Sequence, residues 1–221
     1  MKLSIIIPVY NEKKSIIDVI KKLHQIDYTD YISEMEIVVV DDCSTDGTSD
    51  LLELNKLKLN YTFISSDKNN GKGFAVRKGI DNSSGDLITI QDADLELVPE
   101  DIPSMIKTMI ELNVDFINGS RYMTGIIRPL YSYRRYFFNK IFTKLASILI
   151  NVRLTDLACG YKLFTRNLYK QIKLRENRFG FEPELLIKVA RIKKTLIAEV
   201  PVHYFPREIK EGKKIRNIDG F

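Results

Sequence analysis

The sequence predicts an α/β fold: a mostly parallel, Rossmann-like sheet flanked by helices. Three observations carry this. Short apolar runs alternate with segments of helical spacing through the first half of the chain. Those runs are continuously apolar, as strands covered on both faces must be. The polar, glycine-bearing loops follow strands and precede helices, which collects them on one sheet edge, where open α/β sheets bind ligands.

Residues 3–7 read as a buried strand closed by Pro8. Asn11 is suited to cap a helix over 12–26, with Ile16, Ile17, Ile20 and Leu23 on one face. A second strand, 36–40, ends in Asp41 and Asp42. Ser44 or Thr45 then caps a helix through Leu51, Leu52 and Leu54. Residues 61–65 are a third strand, and Gly71-Lys72-Gly73 opens a helix to Ile80. Residues 86–90 are a fourth strand running into Gln91-Asp92-Ala93-Asp94. Pro99 starts another helix, and 114–118 form a further strand.

Beyond Arg121 the pattern changes. Residues 131–150 form a basic, aromatic amphipathic helix, and 155–161 a polar loop. A strand at 162–165, a helix at 182–194 and a strand at 196–204 follow, then a charged, irregular tail over 207–221. No repeat or linker interrupts the chain, so 1–221 is read as one domain, with 1–120 and 121–221 as functional halves.

Composition narrows the class. The 221 residues are 44% hydrophobic and 29% charged, which supports a core without staples and excludes global disorder. Cys43 and Cys159 have no metal-ligand spacing and are expected to be small buried residues. With only His24 and His203, a histidine-rich zinc site is excluded. The opening apolar run is too short for a leader, and the stretch at 145–152 falls far short of the ~20 residues of a membrane span.

Charge is divided. Residues 1–120 hold 21 acidic and 12 basic side chains; residues 121–221 hold 8 and 22. No acid occurs over 116–155, where Arg121, Arg128, Arg134, Arg135, Lys140, Lys144 and Arg153 stand. One half suits a cation and the other an anion or anionic surface.

Asp92 and Asp94, two apart on a loop past an apolar strand, can face one hard cation such as Mg²⁺ or Mn²⁺; a solvated acidic turn is the alternative. Of Asp41 and Asp42, one is expected to meet a ribose or base and the other to satisfy backbone N–H groups. Gly71-Lys72-Gly73 either cradles phosphate at a helix N-terminus or only makes a tight turn. Arg121 and the 131–150 helix suit a phosphate and a membrane surface; a core-packed helix with snorkelling cations is the alternative, and no nucleic-acid partner is expected. Asp156, isolated in basic surroundings, is either an ion-pair partner or a catalytic group.

In order, Ile-Ile-Ile-Pro-Val-Tyr-Asn-Glu (5–12), Val-Val-Asp-Asp-Cys-Ser-Thr-Asp-Gly-Thr (39–48), Asn-Gly-Lys-Gly (70–73), Gln-Asp-Ala-Asp (91–94) and Gly-Ser-Arg-Tyr (119–122) resemble family 2 glycosyltransferases of the GT-A fold. The motifs at 155–164, 179–185, 200–204 and 206–215 are similar to the dolichol-phosphate mannose synthase and polyprenyl-phosphate glycosyltransferase group. The resemblance implies inverting transfer of a hexose from a nucleotide diphosphate sugar, of UDP-glucose or GDP-mannose type. It implies Pro8, Tyr10, Asn11 and Glu12 with Asp41 or Asp42 around the nucleoside, and Asp92, Ala93, Asp94 and Glu96 at the metal and diphosphate. Arg121, Arg134, Arg135 and Asn139 would face an acceptor phosphate. Arg207 and Lys213 would belong to a mobile tail over the diphosphate, with Lys72 beside it. One departure is Cys43, where glycine is usual.

Asp94, Asp156, Arg121 and Arg207 are thus the candidate catalytic residues. A polyprenyl or dolichyl phosphate acceptor would need no strong base, whereas a saccharide hydroxyl would need one, with Asp156 first and Glu182 second. The acid-free, arginine-rich segment favours the phosphate, at the cytoplasmic membrane face. A sugar nucleotidyltransferase is disfavoured because 8–12 lacks a glycine-rich basic loop, and a non-catalytic docking module because four polar loops converge.

Overall fold

A computed structural model describes residues 1–28, 30–126, 132–193 and 195–207. Arg128, Tyr131 and Lys213 lie outside the described residues.

Seven strands form one sheet: β1 (Lys2–Val9), β2 (Glu34–Asp41), β3 (Thr62–Ser65), β4 (Leu87–Ile90), β5 (Phe116–Ser120), β6 (Lys162–Thr165) and β7 (Ile197–Pro201), in the order β3-β2-β1-β4-β6-β5-β7. All neighbours are parallel except β6, which runs antiparallel between β4 and β5. The expected GT-A-like sheet is therefore present.

Helices cover both faces. On one side α1 (Ile16–Gln25) and α4 (Ile102–Glu111) bury Val19, Ile20, Leu23, Met105 and Ile106 against Ile5, Ile7 and Ile117. On the other, α3 (Lys72–Asp81) and α7 (Phe181–Ala190) bury Ala75, Val76, Ile80, Leu185, Leu186 and Val189 against Ile6, Ile88 and Phe164. Alternate residues of β1 thus serve opposite cores, which explains its unbroken apolar run. A short helix α2 (Thr48–Asn55) follows β2, and a one-turn helix α6 (Arg166–Tyr169), capped by Thr165, follows β6.

Two of the boundaries differ from the expectations as follows. α1 begins at Ile16 rather than residue 12, because the Glu12 carbonyl accepts from Ser15 N and Ile16 N and Asn11 is engaged elsewhere. β5 extends to Ser120, paired with Pro201. The polar 155–161 loop is drawn inward: Asp156, Cys159 and Tyr161 are fully buried.

The long helix α5 (Tyr133–Ile150) departs most from a core element, since only Thr143 and Ala146 of its residues are buried. Phe137, Phe138, Ile141, Phe142, Leu145, Ile148 and Leu149 are exposed. Among the described residues, no helix is long and apolar enough to cross a membrane.

Candidate functional site

The four strand-end loops are tied to one another by side chains. Asn11, at a φ of +52°, donates its N–H to Ser44 Oγ (2.8 Å) and accepts from Thr45 N (2.7 Å). Asn11 therefore joins two loops instead of capping α1. Glu12 N donates to Thr48 Oγ1 at 3.0 Å, and Ser15 Oγ donates to the Ala93 carbonyl at 2.7 Å. Pro8 is buried opposite Val40, and Tyr10 is half-buried at the sheet edge.

Asp41, the last residue of β2, and Asp42 just after it both bind main chain. Asp41 accepts from Ser44 N at 3.2 Å, and Asp42 accepts from Asn70 N at 2.9 Å and Gly71 N at 2.6 Å. The backbone-holding role expected of one of the pair is thus filled by both, Asp41 within its own loop and Asp42 across to the next. Between them and Ser44, Cys43 is half-buried at a φ of +66°, so it is not the buried residue expected, and the left-handed backbone explains why glycine suits this position.

The Gly71-Lys72-Gly73 turn is not an open phosphate cradle. A Cβ at Gly71 would come within 2.5 Å of the Asn177 carbonyl, and one at Gly73 within 2.4 Å of that of Glu176. Phe74 N donates to Asn177 O, so the 176–178 segment covers the start of α3. The Lys72 ammonium lies 2.6 Å from Asp92 Oδ1 and 2.6 Å from Glu182 Oε1. Those two carboxylates outweigh burial and keep Lys72 charged.

Asp92 and Asp94 are thereby distinguished. Asp92 faces Lys72, packed so closely that a Cβ on Gly160 would fall 2.5 Å from its Oδ2. Asp94 accepts from Glu96 N at 3.0 Å and lies 3.3 Å from Arg207 Nη2. Glu96 accepts from Tyr204 Oη and Arg207 N, each at 2.9 Å. Arg207 also grips both oxygens of Glu12 at 2.9 Å.

Among the described residues no three metal-ligating side chains converge, so the expected trio Asp92, Asp94 and Glu96 is not assembled. The donor chemistry nevertheless fits a hard divalent ion. Burial, then the neighbouring Asp92 and Glu96 charges, raise Asp94 to about 6, which marks a nest short of positive charge. Mg²⁺ commonly takes one or two carboxylates and completes its shell with phosphate oxygens and water.

In the basic half, Arg121 and the fully buried Asp156 form a clamp. Nε meets Oδ2 at 2.7 Å, Nη2 meets Oδ1 at 2.9 Å, and Arg121 N donates to Oδ2 at 3.1 Å. Asn139 Nδ2 adds a bond to Oδ1 at 3.1 Å. Burial opposes the Asp156 charge, but Arg121 outweighs it and holds the carboxyl below its ordinary range. The ion-pair alternative for Asp156 is the one the structure shows, and its oxygens are turned to Arg121 and Asn139 rather than to an open base position. Glu182 is likewise buried on Lys72. Asn139 faces Asp156, while Arg134 and Arg135 are exposed at the start of α5.

Tyr204 joins the two sides. Its ring lies 5.1 Å from the Arg121 guanidinium and its hydroxyl bonds Glu96. Tyr122 stacks on Arg121 from 5.6 Å and meets Tyr136 edge-on at 5.3 Å. Residue types alone do not reveal Tyr204, Gln91, Gly160 or Tyr161 as parts of this site. Tyr161 Oη donates to the Val98 carbonyl at 2.6 Å, and Gln91 Nε2 holds the Asp92 and Leu97 carbonyls, shaping the acidic loop from below.

A mostly parallel sheet whose carboxylate-bearing loops meet at one edge, beside a basic half, has the layout in which open α/β sheets bind their ligands. Residues 4–173 match the family model Glycosyl transferase family 2, and the chain belongs to that family; it is a glycosyltransferase. It is 31% identical to an uncharacterized protein of Methanocaldococcus jannaschii over 96% of this chain and 94% of that one. It is 32% identical to a dolichyl-phosphate beta-glucosyltransferase of Trichomonas vaginalis, over 96% of this chain and 68% of the relative. It is 29% identical to a dodecaprenyl-phosphate galacturonate synthase of Rhizobium johnstonii, over 94% and 60% respectively. Similarity to the polyprenyl-phosphate group is thus borne out. The glucosyl-3-phosphoglycerate synthase of Mycobacterium tuberculosis, solved with Mn²⁺, UDP and phosphoglyceric acid, superimposes with a TM-score of 0.71. Identity is 20%, covering 95% of this chain and 72% of that one, and the likeness shows the shared fold.

Proposed function

We propose that this glycosyltransferase moves a hexose from a nucleotide diphosphate sugar to a polyprenyl or dolichyl phosphate, with inversion, while docked on the cytoplasmic membrane face. The observation that carries the acceptor choice is that both candidate bases, Asp156 and Glu182, are locked in buried ion pairs. A sugar hydroxyl would have to lose a proton to such a base; a phosphate monoester is already anionic. The names of two relatives, which act on dolichyl and dodecaprenyl phosphates, support the same reading.

In this reading Arg121, fixed by Asp156 and flanked by Tyr122 and Tyr204, receives the acceptor phosphate, with Arg135 and Arg134 at the entrance. An acceptor oxygen attacks the anomeric carbon, and the bond from that carbon to the donor diphosphate breaks, its electron pair leaving with the diphosphate. Arg207 stabilises the departing charge. Pro8, Tyr10 and Glu12 line the nucleoside end, and Asp94 would hold a divalent ion, Mg²⁺ or Mn²⁺, with Glu96 beside it. When bound, that ion supplies charge neutralisation to the diphosphate. The outward face of α5, with exposed apolar side chains from Phe137 to Leu149 and Arg134, Arg135 and Lys144 as exposed charges, is the membrane-contacting surface.

Two assays test the reading. Transfer from UDP-glucose and GDP-mannose is measured to polyprenyl phosphate and to free sugars, with Mn²⁺ and with chelator. Metal-dependent product on the lipid phosphate is expected; turnover of free sugars alone, or pyrophosphate release from a nucleoside triphosphate, rejects it. Binding to vesicles of anionic phospholipid is expected to weaken in Ile141→Glu and Leu145→Glu, and unchanged binding removes the membrane arm.

A further inference from the structure

Three polar residues sit side by side across the acceptor half of the sheet. The register pairs Asn118 of β5 with Lys162 of β6 on one side and Glu199 of β7 on the other. Paired residues on adjacent strands share a face, so the three form one cross-strand row. Lys162 and Asn118 are fully buried. Two residues before Asn118 and two after Lys162, the same face carries the paired Phe116 and Phe164, which pack in the core. An ammonium in such a place carries a desolvation cost of several kcal/mol unless its partners compensate.

The partners are specific. Lys162 Nζ donates to Asn118 Oδ1 at 2.6 Å, and Asn118 Nδ2 donates to Glu199 Oε1 at 2.7 Å. A lysine can only donate and a carboxylate only accept, so the Asn118 amide has one orientation between them. Each member of the row also holds one main-chain atom of the loop above it. Lys162 Nζ donates to the Cys159 carbonyl, Asn118 Nδ2 donates to the Asp156 carbonyl at 2.8 Å, and Glu199 Oε2 accepts from Thr155 N at 2.8 Å. The loop so held carries the Asp156 carboxylate that clamps Arg121.

We propose that Lys162, Asn118 and Glu199 are positioning residues: a ladder that fixes the 155–159 loop and, through Asp156, aims the Arg121 guanidinium at the anionic group of the acceptor. This rests on the reading of Arg121 given above. None of the three need touch substrate. Their contribution is rigidity at a guanidinium whose direction decides phosphate affinity, where a misplacement of about 1 Å can cost on the order of a hundredfold. An apolar residue at 162 would satisfy the core but leave the Cys159 carbonyl and the Asn118 amide without their donor.

The experiment compares Lys162→Met, Arg121→Lys and the double variant. Affinities for farnesyl phosphate, and for UDP and GDP with Mn²⁺, are measured by calorimetry, alongside amide hydrogen exchange over 155–159. Lys162→Met is expected to weaken farnesyl phosphate on the order of tenfold, leave nucleotide affinity within about twofold, and speed exchange in the loop. The double variant should be no weaker than the poorer single one, because both act through one guanidinium. Unchanged loop exchange, or additive losses, overturns the ladder. Faster exchange with an Arg121→Lys variant that binds farnesyl phosphate normally would leave the ladder standing and reject the acceptor reading instead. Should Lys162→Met not fold, Glu199→Gln keeps the shape and removes one charge; the same selective loss, smaller in size, is expected, and its absence counts against the proposal.

Discussion

Arg207 and Glu12, nearly two hundred positions apart, are joined by two parallel hydrogen bonds of 2.9 Å, and the same guanidinium lies 3.3 Å from Asp94. The chain end of the sheet is thereby fastened onto its first loop. A planar fork makes this contact and an ammonium cannot. Arg207→Lys keeps the charge but loses the paired geometry. Its kcat is expected to fall by about a hundredfold, with acceptor KM nearly unchanged. Steady-state kinetics with both substrates varied checks this, and a pure acceptor-KM effect contradicts the assignment.

Asp94→Asn separates chemistry from folding. Its carboxyl is raised to about 6 by burial and by Asp92 and Glu96, so at neutral pH it is a destabilising charge in the folded chain. Transfer is expected to drop by about a thousandfold or more, and the rise in melting temperature caused by Mn²⁺ with nucleotide to vanish. The melting temperature without ligand should hold or rise; a fall would make the residue structural.

Cys43 pays for its left-handed backbone. Such a conformation costs an L-residue about 1–2 kcal/mol, and glycine returns part of that gain through its freer unfolded chain. Cys43→Gly is expected to stabilise by roughly 0.5–1 kcal/mol in urea titration. Destabilisation would show that the thiol contact to the Asp67 carbonyl outweighs the strain.

Glu36 ties β1, β2 and the 84–85 turn together. Burial disfavours its charge, but Ser4, Ser84 and Lys2 bonds overcome this and lower it to about 2. A depressed carboxyl stabilises above its unfolded value, and that contribution disappears as pH falls from about 4.5 through about 2. Discounted for solvent screening at this partly exposed side chain, the shift corresponds to roughly 1 kcal/mol. Glu36→Gln should lose about that much at pH 7 and show a flatter acid limb in pH-dependent denaturation. A parallel acid limb for both proteins contradicts it.

Strands β1, β2 and β4 were legible because their apolar runs are covered on both faces, and the carboxylate loops because they interrupt those runs. What composition could not show is pairing. Asp41 and Asp42 look alike in sequence, and both turn out to hold backbone N–H groups of different loops. Asp156 stood open between two roles until Arg121, 35 positions earlier, was found on it. Lys162 reads as an ordinary strand-edge lysine; its burial follows from β6 lying between β4 and β5, a topology with no local signature.

That antiparallel insertion also sets an order of assembly. Among the described residues β5 has no sheet partner earlier in the chain: its neighbours are β6 and β7, both made after it. During synthesis β1 to β4 can close into a four-stranded unit, while Phe116–Ser120 must wait for the polypeptide to return at Lys162. Pulse-labelled exchange during refolding should therefore protect Ile5–Ile7 and Val38–Val40 before Ile117, and simultaneous protection would show that the two halves mature together.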